Sequence, residues 1–378
     1  MVSVQTAQSI STAVTAKKLD RLEALRGFAA IWVVFHHTLP DDWGFAGLPV
    51  GRVLRFGQEA VILFFLLSGF VISYAQVHTS NKSFRSYFWK RALRIYIPVL
   101  SVYALSYLVA SGQAGLLVSM EPWQLLGNLL MLQDWSFARP NVIVDAYMGN
   151  GPLWSLSYEW WFYMLFFPLF TFFDRTVMRD RVVFAVAVSS ALIFVIWPTF
   201  VPRLLMYLAI WWTGVVLADE YVRGRLMSWR PFILPAASLA TITGILIADT
   251  LIERGTGARM LLGVHPVLGV RHFLFALVAL LSALCWHRLS WRGFNLVFKP
   301  FLLFAPISYG IYITHWFLMA KAQYLAFINH PVIEWFAYFA ITIAVSWLIE
   351  RVIYPAVKRS LMPMLNAPRG PAVRTRGV

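Results

Sequence analysis

Apolar residues in this chain fall in long unbroken runs, not in the strict alternation of a half-buried strand or the narrow stripe of a surface helix. The runs cover 24–39, 57–76, 92–111, 152–172, 182–198, 204–219, 231–250, 267–286, 300–319 and 333–353. Each is close to the ~17–25 residues a helix needs to cross a bilayer, and short segments rich in Arg, Lys, Pro and Gly separate them. The predicted fold is therefore an all-α integral membrane protein of about ten transmembrane helices. Residues 122–133 are apolar but too short to span, which predicts a re-entrant or interfacial helix there, with an eleventh span as the alternative. The expected organisation is one transmembrane domain over 19–359, flanked by disordered tails at 1–18 and 360–378. The first 18 residues show no signal-peptide pattern, so the first span is expected to stay in the membrane.

Composition agrees with the pattern. Sixty per cent of the 378 residues are hydrophobic, 13% are charged, and the mean hydropathy is +0.67, well outside the range of a water-soluble domain of this length. The net charge of +15 raises the question of a nucleic-acid partner, and its distribution answers it. Threaded through ten spans, 24 of the 32 Lys and Arg fall on the side of the N-terminus and 8 on the other. That asymmetry is the positive-inside bias and predicts both termini in the cytoplasm with no nucleic acid needed. The single cysteine, Cys285, excludes an internal disulfide and a cysteine-based zinc site. It is expected to be a small buried core residue, with a nucleophile as the less favoured alternative.

Ionisable groups inside spans are costly in hydrocarbon and point to function by default. Arg26 and His37 share one face of the first span, because eleven residues make three turns plus about 20°. They lie about 16 Å apart along the axis. A snorkelling arginine and a satisfied core histidine are the bland reading of the same pair. His36 points elsewhere and is the natural control. Glu59 opens the second span. Arg91 and Arg94, beside Lys90, form an i,i+3 pair suited to phosphate, although positive-inside charge explains either one alone. In GPLWSLSYEWWFYMLF, Ser155 and Glu159 sit i,i+4 on one side of the fourth span, where the carboxylate is expected to orient His37, bind acceptor hydroxyls or close a structural network. Trp154, Trp160, Trp161 and Tyr163 suit stacking on sugar rings, though an interfacial aromatic belt is the commoner cause. Ser308, Tyr312 and His315 share a face in ISYGIYITHW, with core packing as the plain reading.

LDRLEALRGFAAIWVVFHH, FFLLSGFVI, FWKRALRIYIP, GPLWSLSYEWWFYMLFFP and SYGIYITHW resemble, in order, the signature segments of the acyltransferase-3 membrane proteins, across nearly the whole chain. Stand-alone polysaccharide O-acetyltransferases are the most similar by eye. Arg26 with His37 matches the family's arginine, ten residues, histidine motif, and Arg91 with Arg94 its R-x-x-R motif. Glu59 stands where relatives often carry Asp. The resemblance implies transfer of an acyl group, usually acetyl, from cytoplasmic acyl-CoA (acetyl-CoA) to a hydroxyl of an extracytoplasmic glycan or glycolipid at the bacterial inner membrane. On that reading Arg26, Arg91 and Arg94 hold the CoA phosphates, and His37 is the general base or carries the acyl group. Glu59 or Glu159 fixes the His37 tautomer, Ser155 donates to the oxyanion, and Trp154, Tyr312 and His315 bind substrate. No metal is expected. The partners expected are the acceptor, membrane lipids and polysaccharide-biosynthesis proteins. The competing readings are a glycan or lipid flippase and a glycosyltransferase using Asp41 and Asp42.

Overall fold

The computed structural model describes residues 2–44, 47, 49–173, 176–257 and 260–366, with side chains described from 19 to 365. The chain is a bundle of helices: α1 Val2–Thr38, α2 Val50–Leu54, α3 Gln58–His78, α4 Phe84–Ala114, α5 Pro122–Leu129, α6 Trp154–Phe172 and α7 Thr176–Ile196. It continues through α8 Phe200–Val222, α9 Ile233–Gly255, α10 Val267–Arg288, α11 Phe294–Val297, α12 Ser308–His315, α13 Pro331–Trp347 and α14 Tyr354–Asn366. Every predicted apolar run lies on helix over most of its length. Six of these helical stretches are long and apolar enough to cross a membrane: α3, α4, α8, α10, Arg230–Gly255 and the continuous rod Pro331–Leu365. Strand is confined, among the described residues, to a parallel pair of two residues each, β1 Gln133–Asp134 and β2 Val144–Asp145.

Several expectations are corrected. Helix α5 has eight residues, about 12 Å of rise, so the stretch from 122 cannot cross an apolar layer of ~30 Å and the eleventh-span alternative falls. Helix α1 runs from Val2 to Thr38 without a break. A helix already nucleated by the packed stretch that follows propagates cheaply through Ala and Gln. At the other end, 360–366 complete α14, and the remainder of the predicted tail lies outside the described residues. Cys285 is exposed rather than buried, on the outward face of α10.

The bundle closes around α3 and α8, which touch backbone to backbone through reciprocal glycines. A Cβ on Gly69 would run into the Trp211 carbonyl oxygen, and one on Gly214 into the Leu66 carbonyl oxygen. Only at such small residues do helix axes approach this closely, and dispersion along the shared face replaces the hydrophobic drive that lipid does not supply. Gly27 does the same for α1, whose backbone meets the Phe301 carbonyl oxygen. That contact seats α1 on the irregular segment ahead of α12, which starts as 3₁₀ turns at Lys299–Leu303 and Ala305–Ile307. Pro300 and Pro306 are the second residues of those turns, still within the first turn where a missing N–H costs least. After His315 the helix relaxes into a π turn, Trp316–Ala320, a local rewinding that re-aims side chains.

The connection between α5 and α6 folds inward and is locked by charge. Asp134 is fully buried and pairs with Arg139 at 3.3 Å and Arg203 at 3.0 Å, while the Tyr158 hydroxyl donates to it at 2.7 Å. A buried carboxylate is tolerable only with its lone pairs satisfied in this way. The cluster ties the loop to α6 and α8, which fixes the start of α6.

Gly214→Leu should split the α3–α8 contact, because the obstructing atoms are backbone and cannot rotate aside. The expected cost is ~1–3 kcal/mol, visible as a lower melting temperature of the detergent-solubilised protein by size-exclusion after heating. Gly244→Leu, whose Cβ would meet open space, should melt as the wild type does.

Candidate active site

A cavity of about 310 Å³ enters the bundle at the end where Arg26 lies. Its mouth is basic, with Arg26 from α1, Lys90, Arg91 and Arg94 from α4 and Lys358 from α14. Further in it is lined by Ser68, Glu159, Tyr163, Ser155 and Tyr312. The structure thus brings together Arg26, Arg91 and Arg94 as the sequence suggested, and adds Lys358. That residue lay in a stretch read as the last of the membrane domain, and nothing in its spacing pointed to α4.

The cations differ in how far they are already neutralised. Arg94 is held by Glu350 at 2.5 Å and sandwiched between the rings of Tyr309 and Tyr354, at 4.9 and 5.2 Å. Arg26 pairs with Glu23 at 3.0 Å, one turn earlier on α1. Arg91 makes no ion pair among the described residues. Its guanidinium lies over the rings of Tyr87 and Tyr163, at 5.3 and 5.8 Å, and its buried Nε has no hydrogen-bond partner. An unpaired guanidinium lining a cavity is a ready anion site.

At the far end of the bundle His37 on α1 faces His315 on α12, with Nδ1 of His37 3.1 Å from Nε2 of His315 and the rings stacked at 5.1 Å. The tautomers follow from the neighbours. His315 Nδ1 lies 2.7 Å from the Tyr312 carbonyl oxygen and 3.2 Å from that of Ile311. Carbonyls only accept, so the His315 proton is on Nδ1 and its Nε2 carries a lone pair. His37 must then donate from Nδ1, which leaves its own Nε2 as a free base. Trp316, on the π turn, closes edge-on over the His37 ring at 5.1 Å.

A void of about 10 Å³ beside His37 is walled by Val33, Gln58, Val61, Trp135, Trp154 and Tyr312, among others. Val61 and Tyr312 line this void and the large cavity alike. The large cavity and the void beside His37 therefore adjoin at Val61 and Tyr312.

Other expected roles are not met by the geometry. Glu59 is engaged not by His37 but by Arg271 on α10, whose Nε and Nη2 donate to its two carboxylate oxygens at 2.8 and 2.7 Å. The longer Glu reach suits a helix-to-helix clamp between α3 and α10. Glu159 accepts hydrogen bonds from Ser68, at 2.9 Å, and from the Tyr163 hydroxyl, so it belongs to the large cavity and does not touch His37. Ser155 is committed as well. Tyr312 gives its one proton to the Pro152 carbonyl at 2.5 Å, so at 2.8 Å Ser155 must donate to the Tyr312 oxygen and has no proton left for an oxyanion. Trp154 offers no free face to a sugar, for Arg139 covers its ring at 3.6 Å and His272 stacks at 6.2 Å. Trp160 is likewise buried, against Phe88 and Tyr96. His36 is no idle control, since its Nδ1 donates to the Leu54 carbonyl at 3.0 Å and pins the loop before α3. Asp41 is exposed and pairs with Arg55.

Fold and site together define a helical membrane protein with a basic, half-enclosed cavity leading to an oriented histidine base. The family described as "Acyltransferase domain", acyltransferase-3, matches residues 19–351, and the chain belongs to it. It is 31% identical over 189 residues to "Acyltransferase MdmB" of Streptomyces mycarofaciens, covering 47% of this chain and 46% of that one. It is 28% identical over 183 residues to "Nodulation protein 10" of Rhizobium leguminosarum bv. viciae, covering 44% and 48%. The matched stretches thus span about half the length of these curated relatives. No solved structure matches.

Glu350→Ala should strand the Arg94 guanidinium in a ring-lined pocket and cost ~3–5 kcal/mol of stability. Arg91→Ala removes a cation with no carboxylate partner and should melt within ~0.5 kcal/mol of wild type. Thermal denaturation of the two variants in the same detergent separates the roles.

Proposed function

We propose that this protein is a membrane O-acyltransferase that takes an acyl group, acetyl first among candidates, from acyl-CoA on the cytoplasmic side. It passes the group to a hydroxyl of a glycan or glycolipid on the other side of the bacterial inner membrane. The supporting observation is the pairing of an unneutralised arginine in a basic cavity with an oriented histidine base beyond the cavity's inner wall. Ten spans with both termini in the cytoplasm put the basic mouth on the cytoplasmic face, as the distribution of Lys and Arg favours. Membership of the acyltransferase-3 family and the printed name of the Streptomyces relative support the reaction class.

On this reading the CoA phosphates bind Arg91, with Lys90, Lys358, Arg26 and Arg94 adding field at the mouth. The pantetheine arm runs up the cavity past Glu159, and the thioester reaches the Val61–Tyr312 partition. The acceptor hydroxyl meets His37 from the opposite side. His37 Nε2 takes the hydroxyl proton as the oxygen attacks the thioester carbonyl carbon. The tetrahedral oxyanion then collapses, the carbon–sulfur bond breaks, and the departing CoA thiolate takes the proton back from His37. His315 accepts from His37 Nδ1 throughout, so the imidazolium formed in the step finds a lone pair already aimed at it. In this role His315 replaces the carboxylate expected from Glu59 or Glu159. An acyl-histidine intermediate on Nε2 uses the same geometry in two steps.

The test is CoA release from radiolabelled acetyl-CoA by the purified protein in nanodiscs, with water as the default acceptor. His37→Ala should abolish it, and full retention would end the mechanism. His315→Ala, which frees the His37 tautomer, should reduce turnover ~10²–10⁴-fold while leaving the KM for acetyl-CoA near that of wild type. Arg91→Ala should do the reverse, raising that KM ~10- to 100-fold through loss of one charge-assisted contact worth ~1.5–3 kcal/mol.

A further inference from the structure

Among the described residues that line the large cavity, Glu159 is the one carboxylate, and only one of its oxygens is engaged. Oε1 accepts from the Ser68 hydroxyl at 2.9 Å and from the Tyr163 hydroxyl, and Trp211 Nε1 donates in turn to Ser68 at 3.2 Å. Oε2 accepts no hydrogen bond and has no cation within ion-pair distance among the described residues. It is not shut off from solvent, as the unpartnered Arg91 Nε and Tyr309 hydroxyl are, and so faces the space that Glu159 lines. The hydroxyls around it have no proton to offer. Those of Ser68 and Tyr163 go to Oε1, Tyr312 donates to the Pro152 carbonyl and Ser155 to Tyr312. Arg91 rests on the Tyr163 ring and does not pair with the carboxylate. A single acceptor thus stands open in a cavity whose other charged groups are cations.

Its height in the cavity narrows what it can meet. Helix α6 presents Tyr163, Glu159 and Ser155 in succession, each four residues and about 6 Å of axis beyond the last. Tyr163 lies under the Arg91 guanidinium at 5.8 Å, and Ser155 donates to Tyr312, which borders the void beside His37. Glu159 therefore stands about one helical turn short of the place where the two spaces adjoin. In a pantetheine thioester two methylenes and the sulfur separate the nearer amide nitrogen from the thioester carbon, roughly 5 Å when extended. With the thioester at Tyr312, that amide is level with Glu159.

Resting on the acyltransferase reading above, we propose that Glu159 is a donor-binding residue whose Oε2 accepts the N–H of the amide next to the thioester. The hydrogen bond fixes how far the arm enters and so sets the thioester carbonyl at Tyr312. The donor class is then an acyl group on a cysteamide arm, not an acyl phosphate or a simple thioester. Discrimination arises because a donor lacking that N–H leaves the carboxylate oxygen unpaired inside the cavity.

The experiment uses the full chain in nanodiscs and two ligands, CoA and the same molecule with that one N–H replaced by an ester oxygen, which keeps the length and loses the hydrogen. Each displaces radiolabelled CoA under reducing conditions, and the ratio of the two Kd values is read, so no turnover is needed. Wild type should bind CoA ~10- to 100-fold more tightly than the ester, the range for one hydrogen bond to a charged group. In Glu159→Gln the hydroxyls of Ser68 and Tyr163 select the carbonyl oxygen, which puts an NH2 where Oε2 stood. A donor then faces a donor, and the ratio should fall to one or below. Glu159→Asp, withdrawn by one methylene, should lower the ratio in the same sense and serves if Glu159→Gln does not accumulate. Cys285→Ser, on the outward face of α10, should keep the wild-type ratio. Equal binding of CoA and ester by wild type overturns this inference and leaves the transferase reading standing. So does a wild-type ratio retained in the Glu159 variants. No binding of CoA by wild type overturns both.

Discussion

An ionised group held among apolar helices must find a partner, and that constraint organises the whole bundle. Glu59 with Arg271 clamps α3 to α10, and Glu350 with Arg94 clamps the end of α13 to α4. Asp219 with Arg179 does the same for α8 and α7, and Asp134 with Arg139 and Arg203 locks the infolded loop. Removal of one partner from any of these leaves a charge that the surroundings cannot solvate. The pairs therefore act as positional locks more than as sources of net stability. Close glycine contacts supply the packing around them, at Gly69 and Gly214 above all.

At the candidate site Arg91 keeps a buried nitrogen without a hydrogen-bond partner and His37 keeps a lone pair. Two backbone carbonyls at the end of α12 settle the proton positions in the histidine pair, and through them the chemistry of a residue on α1 nearly three hundred residues earlier. The π turn that follows His315 is part of the same arrangement, since it brings Trp316 over the His37 ring.

The helices were legible because hydrocarbon leaves the backbone only one way to satisfy its own polar groups within a segment, and long apolar runs have few other meanings. The cations at the cavity mouth were partly legible, for Arg26, Arg91 and Arg94 carry spacing and end-of-span position. Their division of labour was not, because Arg91 and Arg94 look alike until Glu350 arrives from the far end of the chain. Glu59 misled for the same reason: a carboxylate one turn into a span asks for a partner, and local sequence cannot say whether that partner is His37 or Arg271. Trp154 and Ser155 line the two spaces, yet their functional groups are taken up by Arg139, His272 and Tyr312. Short-range pattern fixes which face a residue occupies, and long-range pairing decides whether it is free.

The partition between the two voids has a consequence for any reaction carried across a membrane. A continuous water-filled path past Arg26, Glu159 and His37 would leak ions and protons, whereas the chemistry requires only that a carbonyl carbon and a hydroxyl oxygen come within bonding reach. Val61 and Tyr312 meet both needs if the thioester stops at the partition and the acceptor stops at His37. Tyr312 is held by Ser155 on one side and the Pro152 carbonyl on the other, so its ring stays in place without a charge to anchor it. The polar groups of Ser155 and Tyr312 then serve the barrier rather than the oxyanion. Ser155 and Tyr312, catalytic in residue type, are committed in this structure to each other and to the Pro152 carbonyl.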